Sequence, residues 1–481
     1  MNTQKVLLVN PPFYRLLGSH YNANSLGIAY IASYLNKGGH HCELYNADYQ
    51  SESTFTKYSI IHREKGFLNY QEYFKNPNHP LWEEVTEQIL RYEPDWVGYT
   101  SYTANVTSID LLSTKIRQRN PKIKQVIGGV HATLDHNLLN TLKCIDYSVQ
   151  REGEKAMLDL VNGKQPNTIS GVVCREGKKI INIGDADVNP NIDELPFPER
   201  DAFWNVSEEE KSIIDVSYIC SIRGCPYRCN YCASPFHWKR DKTQYRSPES
   251  VLSEMRHLKE NHWNHKKYDY SASGNSEDKS KLIIKDNTIV YFVDDIFTIK
   301  KPRVKQILRG IVDENLDMPW KCEARTDHLD EEIAELMVKS GCKRVKLGFE
   351  SGSDRILKQI QKDETTQDMI EGAKLLKDAG VPFTAYFMAG FPGETDDDVR
   401  ETIKLAEKIQ ADYYVLSILS PYFGTKMYYD MMDLGYELDK QPWEYFYHHS
   451  GEMLVNNQIS NEVLTEYLRL NELNNTTEGY I

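Results

Sequence analysis

The segment Ser221-Ile222-Arg223-Gly224-Cys225-Pro226-Tyr227-Arg228-Cys229-Asn230-Tyr231-Cys232 carries three cysteines at CxxxCxxC spacing, directly after an apolar run ending near Ile219-Cys220. Thiolates this close together on one loop can wrap three irons of a cubane and leave the fourth iron without a protein ligand. A structural zinc site needs four ligands, normally from paired CxxC units. No second pair follows downstream, so only His237 could complete such a site. Cys225, Cys229 and Cys232 are therefore the expected metal ligands, and a [4Fe–4S] cluster the expected group. Cys220 reads as a buried strand residue.

Around this loop the chain alternates strand-like and helix-like runs. Strands are expected at 213–220, 289–294, 318–323, 343–349, 382–388 and 412–418, with helices at 248–261, 302–314, 330–340, 364–378 and 396–409. Six strands with five intervening helices predict a partial (β/α)6 barrel whose chemistry lies at the strand carboxyl ends. The polar stretch 262–287 reads as a surface insertion.

Toward the N-terminus, Val6-Leu7-Leu8-Val9 is a strand stopped by Asn10-Pro11-Pro12, and 25–37 carries apolar residues at helical spacing up to Gly38-Gly39. Further strands are expected at Cys42–Tyr45, Asp95–Tyr99, Gln125–Ile127 and Cys144–Tyr147, with a helix at 106–118. This pattern predicts an α/β, Rossmann-like parallel sheet. Residues 168–182 read as a hairpin turning at Glu176-Gly177, and 184–200 as a Pro-bearing linker. The expected domains are 1–165 (Rossmann-like), 166–205 (hairpin and linker), 206–428 (barrel) and 429–481 (a short C-terminal extension with Trp443, Tyr445, Phe446 and Tyr447).

The composition is that of a globular chain: 481 residues, 40% hydrophobic, 26% charged, net charge −13. An acidic total argues against nucleic acid as a partner. No run approaches the roughly 18–20 apolar residues of a membrane span, and the first residues do not read as a signal peptide. A cytoplasmic setting is expected, where clustered cysteines imply metal rather than disulfides.

The cysteine segment resembles the signature of the radical S-adenosylmethionine (SAM) superfamily, most closely the branch with an N-terminal cobalamin-binding domain. The likeness runs from residue 5 to about 428. It implies that Tyr231 lies against the SAM adenine. Asp295 in Phe292-Val293-Asp294-Asp295-Ile296-Phe297, Arg325 with Asp327, Glu350-Ser351 and Gly390 in Gly390-Phe391-Pro392-Gly393-Glu394 match the segments at successive strand ends that hold SAM, Glu350 through the ribose or amino group. In the N-terminal domain the resemblance rests on Asn10-Pro11-Pro12, Ser25-Leu26-Gly27, Gly38-Gly39-His40, Ser101, Gly128-Gly129-Val130-His131 and Arg151-Glu152-Gly153-Glu154. It implies Ser101, Gly128, Gly129 and His131 as cobalamin contacts. The loop Phe13–Asn24 lacks the Asp-x-His-x-x-Gly motif that ligates cobalt from below, and His20 is its only histidine.

The implied cofactors are a [4Fe–4S] cluster, SAM and cobalamin. The implied reaction is methylation of an unactivated carbon in a small molecule, with flavodoxin or ferredoxin as electron donor. Radical dehydration, oxidation, cyclisation or rearrangement without cobalamin is the alternative, and a non-catalytic cobalamin- or redox-responsive binding protein is the alternative of another class.

Overall fold

The computed structural model describes residues 2–17, 21–49, 66–186, 188–211, 214–238, 242–263, 267–269, 283–285, 289–447 and 458–473. His20 and most of the 262–287 insertion lie outside the described residues. The chain divides into two compact units, Met1–Val216 with Gln441–Tyr447, and Ser217–Lys440 with His448–Ile481.

The first unit is built on a seven-stranded sheet. Its strands are β1 (Lys5–Asn10), β2 (His41–Asn46), β3 (Trp96–Ser101), β4 (Lys124–Gly129), β5 (Tyr147–Val149), β6 (Val172–Glu176) and β7 (Lys179–Asn182), in the order β2-β1-β3-β4-β5-β6-β7. The first five run parallel. Side chains alternate across a strand, so β1 sends Leu7 and Val9 to one face and Val6 and Leu8 to the other. The former face is covered by α3 (Pro80–Arg91) and α4 (Val106–Arg119), preceded by α2 (Gly66–Lys75); the latter by α1 (Leu26–Lys37) and α6 (Glu154–Val161). Between them, α5 (Val130–Leu134) follows β4 directly.

Two expectations need correction here. The strand expected at Cys144–Tyr147 begins only at Tyr147. The Asp146 N–H donates to the Gln125 carbonyl at 2.9 Å, but the return bond from the Gln125 N–H goes to the Asp146 carboxylate at 2.7 Å, and that carboxylate also pairs with Arg117, so regular pairing starts one residue later. The hairpin turning at Glu176-Gly177 is not a separate linker element: β6 pairs antiparallel with β5 and extends the sheet. The first unit accordingly runs on to Val216.

The second unit holds six parallel strands, β8 (Tyr218–Ile219), β9 (Val290–Phe292), β10 (Trp320–Ala324), β11 (Cys342–Glu350), β12 (Phe383–Ala389) and β13 (Tyr413–Ile418), each paired to the next in sequence. A sheet wound in one direction brings all strand carboxyl ends to one rim. The crossover helices are α7 (Pro248–Asn261), α8 (Lys301–Asp313), α9 (Glu331–Lys339), α10 (Thr366–Ala379) and α11 (Asp396–Ile409). Local chemistry marks their ends. Thr365 with Asp368 and Thr395 with Asp398 form capping boxes, and Gly380 closes α10 at φ +79°. At the edge strand, α12 (Asn461–Arg469) packs on α11, and the Tyr467 hydroxyl donates to the Ser417 carbonyl at 3.2 Å. Among the described residues no helix is long and apolar enough to cross a membrane.

Candidate functional site: a cluster loop on a strand rim

The cysteine loop leaves β8 at Cys220 and is clamped as it does so. Asp294, buried at the end of β9, accepts the backbone N–H groups of Ser221 at 2.6 Å and Ile222 at 2.8 Å, and the Ser221 hydroxyl. Arg303 donates to the Ser221 carbonyl at 3.0 Å and the Arg246 carbonyl at 2.7 Å, while Arg246 pairs with buried Glu254. Burial pushes the Asp294 carboxyl up to about 6, against the pull of its donors and of Arg303. Farther along, Asn230 donates from its backbone to the Ile360 carbonyl at 3.0 Å and from its amide to the Gln359 carbonyl at 3.2 Å. A loop held at both ends presents its thiols at fixed places.

Cys225 and Cys229 are buried and Cys232 half-buried. Burial pushes the Cys225 thiol up to about 11 and raises Cys229, where the charges of Lys362 and Arg325 oppose the rise. Cys232 is pushed up by burial and by the Asp295 charge. Such thiols lose their protons when metal binds. A structural zinc site needs four donors, and the loop offers three thiols. A cubane asks each thiolate to reach a different iron. Three soft donors on one anchored loop fit a [4Fe–4S] cluster.

The remaining rim residues fall into two groups. Tyr231 and Glu350 lie beside Cys229, and Gly390 opens the turn that carries Phe391 against the Tyr231 ring. The Tyr231 hydroxyl hydrogen-bonds Glu350, and its ring meets Phe391 edge-on at 6.0 Å. Glu350 has φ +64° at a register shift in β11, and a Cβ on Gly348 would lie 2.5 Å from its carboxylate. Burial raises Glu350, opposed by Lys362 and Tyr231. Gly390 (φ +102°) opens a turn closed by Glu394, whose carboxylate accepts the N–H groups of Gly390 and Phe391 at 2.6 and 3.0 Å. An aromatic pair beside a glycine turn, with a carboxylate at the next strand end, can take the adenine and the ribose or amino group of SAM.

Arg325, Ser351 and Asp295 do other work in this structure. Arg325 grips Asp327 through two N–H groups at 3.0 and 2.9 Å, donates to the carbonyls of Lys362 and Asp363, and stacks on the Tyr227 ring at 3.8 Å. It braces the cluster loop instead of reaching outward. Ser351 is buried, shares a hydrogen bond with Thr402 and accepts the Ser353 N–H. Asp295 is exposed and accepts the Ser234 hydroxyl just past Cys232.

Sequence reasoning passed over Lys362. Its ammonium is buried 3.4 Å from Glu364 and 4.0 Å from Glu350, and its charge reaches Cys229. Its local signal is only a lysine followed by two acids, Asp363 and Glu364. In the Asp294-Asp295 pair the sequence does not distinguish the buried clamp, Asp294, from its exposed neighbour.

In the first unit, Gly128 and Gly129 stand half-buried at the end of β4, and Gly27 in α1 has open space where a Cβ would be. Backbone uncovered by side chains at these places suits close approach of a large ligand. Ser101 and His131, expected as contacts, face inward. Ser101 donates to the Gly128 carbonyl at 2.7 Å and accepts the Ala132 N–H at 3.2 Å. His131 is 0% exposed, 3.1 Å from the Thr103 hydroxyl and 3.8 Å from Asp135, and burial lowers it to about 3. It is a neutral framework residue. Gly129, at φ +98°, is required because a Cβ would lie 2.8 Å from the Ser101 backbone.

Comparison with known proteins agrees with this geometry. Residues 219–406 match the radical SAM superfamily and residues 18–161 the B12 binding domain. The chain is 28% identical over 437 residues to an uncharacterized methyltransferase from Pyrococcus horikoshii, covering 89% of this chain and 83% of that one. It is 25% identical over 370 residues to the anaerobic magnesium-protoporphyrin IX monomethyl ester cyclase of Rubrivivax gelatinosus, covering 73% of this chain and 61% of the cyclase. The fold is similar to that of the radical SAM methyltransferase TsrM from Kitasatospora setae, solved with cobalamin and a [4Fe–4S] cluster bound. The TM-score is 0.65 at 19% identity, over 90% of this chain and 78% of TsrM. The chain belongs to the radical SAM superfamily, in the branch that joins an N-terminal B12-binding domain to the barrel, and the cofactors of that branch are a [4Fe–4S] cluster, SAM and cobalamin.

Proposed function

We propose that this protein is a cobalamin-dependent methyltransferase acting on an unactivated carbon of a small molecule. The observation that carries this reading is the presence, in one chain, of an anchored three-cysteine loop and a B12-binding domain. Likeness to a methyltransferase over 83% of its length supports it. When bound, the cluster and SAM supply a 5′-deoxyadenosyl radical that takes hydrogen from the substrate, and cobalamin carries the methyl group.

The chain's own part is positioning. Cys225, Cys229 and Cys232 would hold three irons. Tyr231 and Phe391 would flank the adenine, and Glu350 would accept a hydrogen bond from the ribose or amino group. Asp294 and Arg325 keep the loop in place. Flavodoxin or ferredoxin in a cytoplasmic setting would supply the electron. A second reading, ring closure or oxidation without cobalamin, draws on the likeness to the cyclase.

The test is anaerobic production with hydroxocobalamin, followed by iron and cobalt analysis and incubation with SAM and a strong reductant. The expected result is both metals retained, with formation of 5′-deoxyadenosine and S-adenosylhomocysteine. A cluster without cobalt would overturn methyl transfer in favour of the second reading. Undiminished SAM cleavage by Cys229→Ala would remove the cluster assignment.

A further inference from the structure

We propose that the returning segment Gln441–Tyr447 forms one wall of the cobalamin site, and that cofactor retention depends on it; this rests on the reading that the first unit binds cobalamin. The starting point is strand order. In the first unit β1 lies between β2 and β3, so the chain reverses direction across the sheet there. In open parallel sheets the ligand crevice opens beyond the carboxyl ends of the strands at such a reversal, here β1 and β3.

Phe13 lies beyond the end of β1 and the turn Thr103–Asn105 beyond that of β3, with His131 beyond the neighbouring β4. A segment more than three hundred residues downstream of them lies on all three. The turn Trp443–Tyr445 packs on Thr103–Asn105. The Trp443 ring meets His131 edge-on at 4.9 Å, and Tyr447 meets Phe13 edge-on at 5.1 Å. The Thr107 hydroxyl donates to the Glu444 carboxylate at 3.2 Å.

Phe446 and Tyr447 are buried. Their burial anchors the segment on the first unit. Trp443, Glu444 and Tyr445 remain half-buried, and Tyr102 at the end of β3 is 56% exposed. The crevice therefore has an aromatic rim that is partly uncovered. Flat, apolar rings with polar tips suit the edge of a large planar macrocycle bearing amide arms.

The inference is tested on the full-length protein by hydroxocobalamin binding, read as retained cobalt and visible absorbance after equilibrium dialysis, with iron content and the cluster's electron paramagnetic resonance signal recorded in parallel. Trp443→Ala should weaken binding at least 10-fold. Thr107→Val, which removes only the bond to Glu444, should weaken it about 3-fold. Neither should change iron content or the cluster signal, and thermal unfolding serves as the folding control. Unchanged binding by both variants overturns the inference and leaves the cobalamin reading intact. Tighter binding by Trp443→Ala also overturns it, because the segment would then be a plug. A wild-type protein that takes up no cobalamin sinks the cofactor reading itself, and the inference with it.

Discussion

Asp48 is a carboxylate buried among backbone amides, accepting the N–H groups of Phe13 at 2.7 Å and Arg15 at 3.0 Å. It fixes the start of the loop after β1. Burial outweighs these bonds and pushes the carboxyl up to about 6 from its usual 3.8. Below about pH 4 the proton is bound in both folded and unfolded chains, and the contribution to stability is complete. As pH rises through 6 that contribution is lost, by at most about 3 kcal/mol. Asp48→Asn should therefore gain stability relative to wild type as pH rises from 4 to 7, measured by urea unfolding; a difference that does not change with pH would refute this. The same scale shows where residue type alone misleads. Ser101 and His131 stand at strand ends, as a ligand contact would, but their partners are the protein's own Gly128 carbonyl, Thr103 and Trp443. Nothing local to either residue says which way it faces.

At the scale of elements, the six strands and five helices of the barrel fall within a few residues of their sequence expectations, apart from β8, which keeps only the last part of its expected span. Strand–helix alternation, capping boxes and glycine stops act over a few residues and are readable locally. Packing between elements is not. Gly352, in the loop after β11, shows this. A Cβ there would lie 2.4 Å from the Glu401 carbonyl oxygen and 2.5 Å from the Thr402 Cα, both in α11. Backbone cannot swing aside like a side chain, so Gly352→Ala should cost about 1–3 kcal/mol. The check is a thermal melt, which should shift downward by several degrees; an unchanged melting temperature would show that α11 yields freely. The hairpin β6–β7 gives the converse lesson: its turn was legible at Glu176-Gly177, but its pairing with β5 depends on a strand far earlier in the chain.

For the whole molecule, the ligands of the two expected prosthetic groups come from different units. The three cysteines belong to Ser217–Lys440, while Gly128, Gly129 and the loop after β1 belong to Met1–Val216. Loading of iron and of cobalamin should thus be separable. Cys229→Ala is expected to lose most of its iron yet keep the wild-type cobalt content after reconstitution, by metal analysis. Loss of both metals together would mean that one site cannot form without the other.

The sequence by itself determined the metal chemistry and the order of the elements, because cysteine spacing and hydrophobic periodicity are properties of neighbouring residues. Only the tertiary structure decided which charged groups surround the cluster loop. Asp294, Arg303, Arg325 and Lys362 come from separate segments and meet around one short run of chain. Their meeting depends on packing between segments far apart in the chain, and such packing belongs to no residue alone. The same holds for Gln441–Tyr447, which is aromatic by composition and becomes part of the first unit because the chain returns to it.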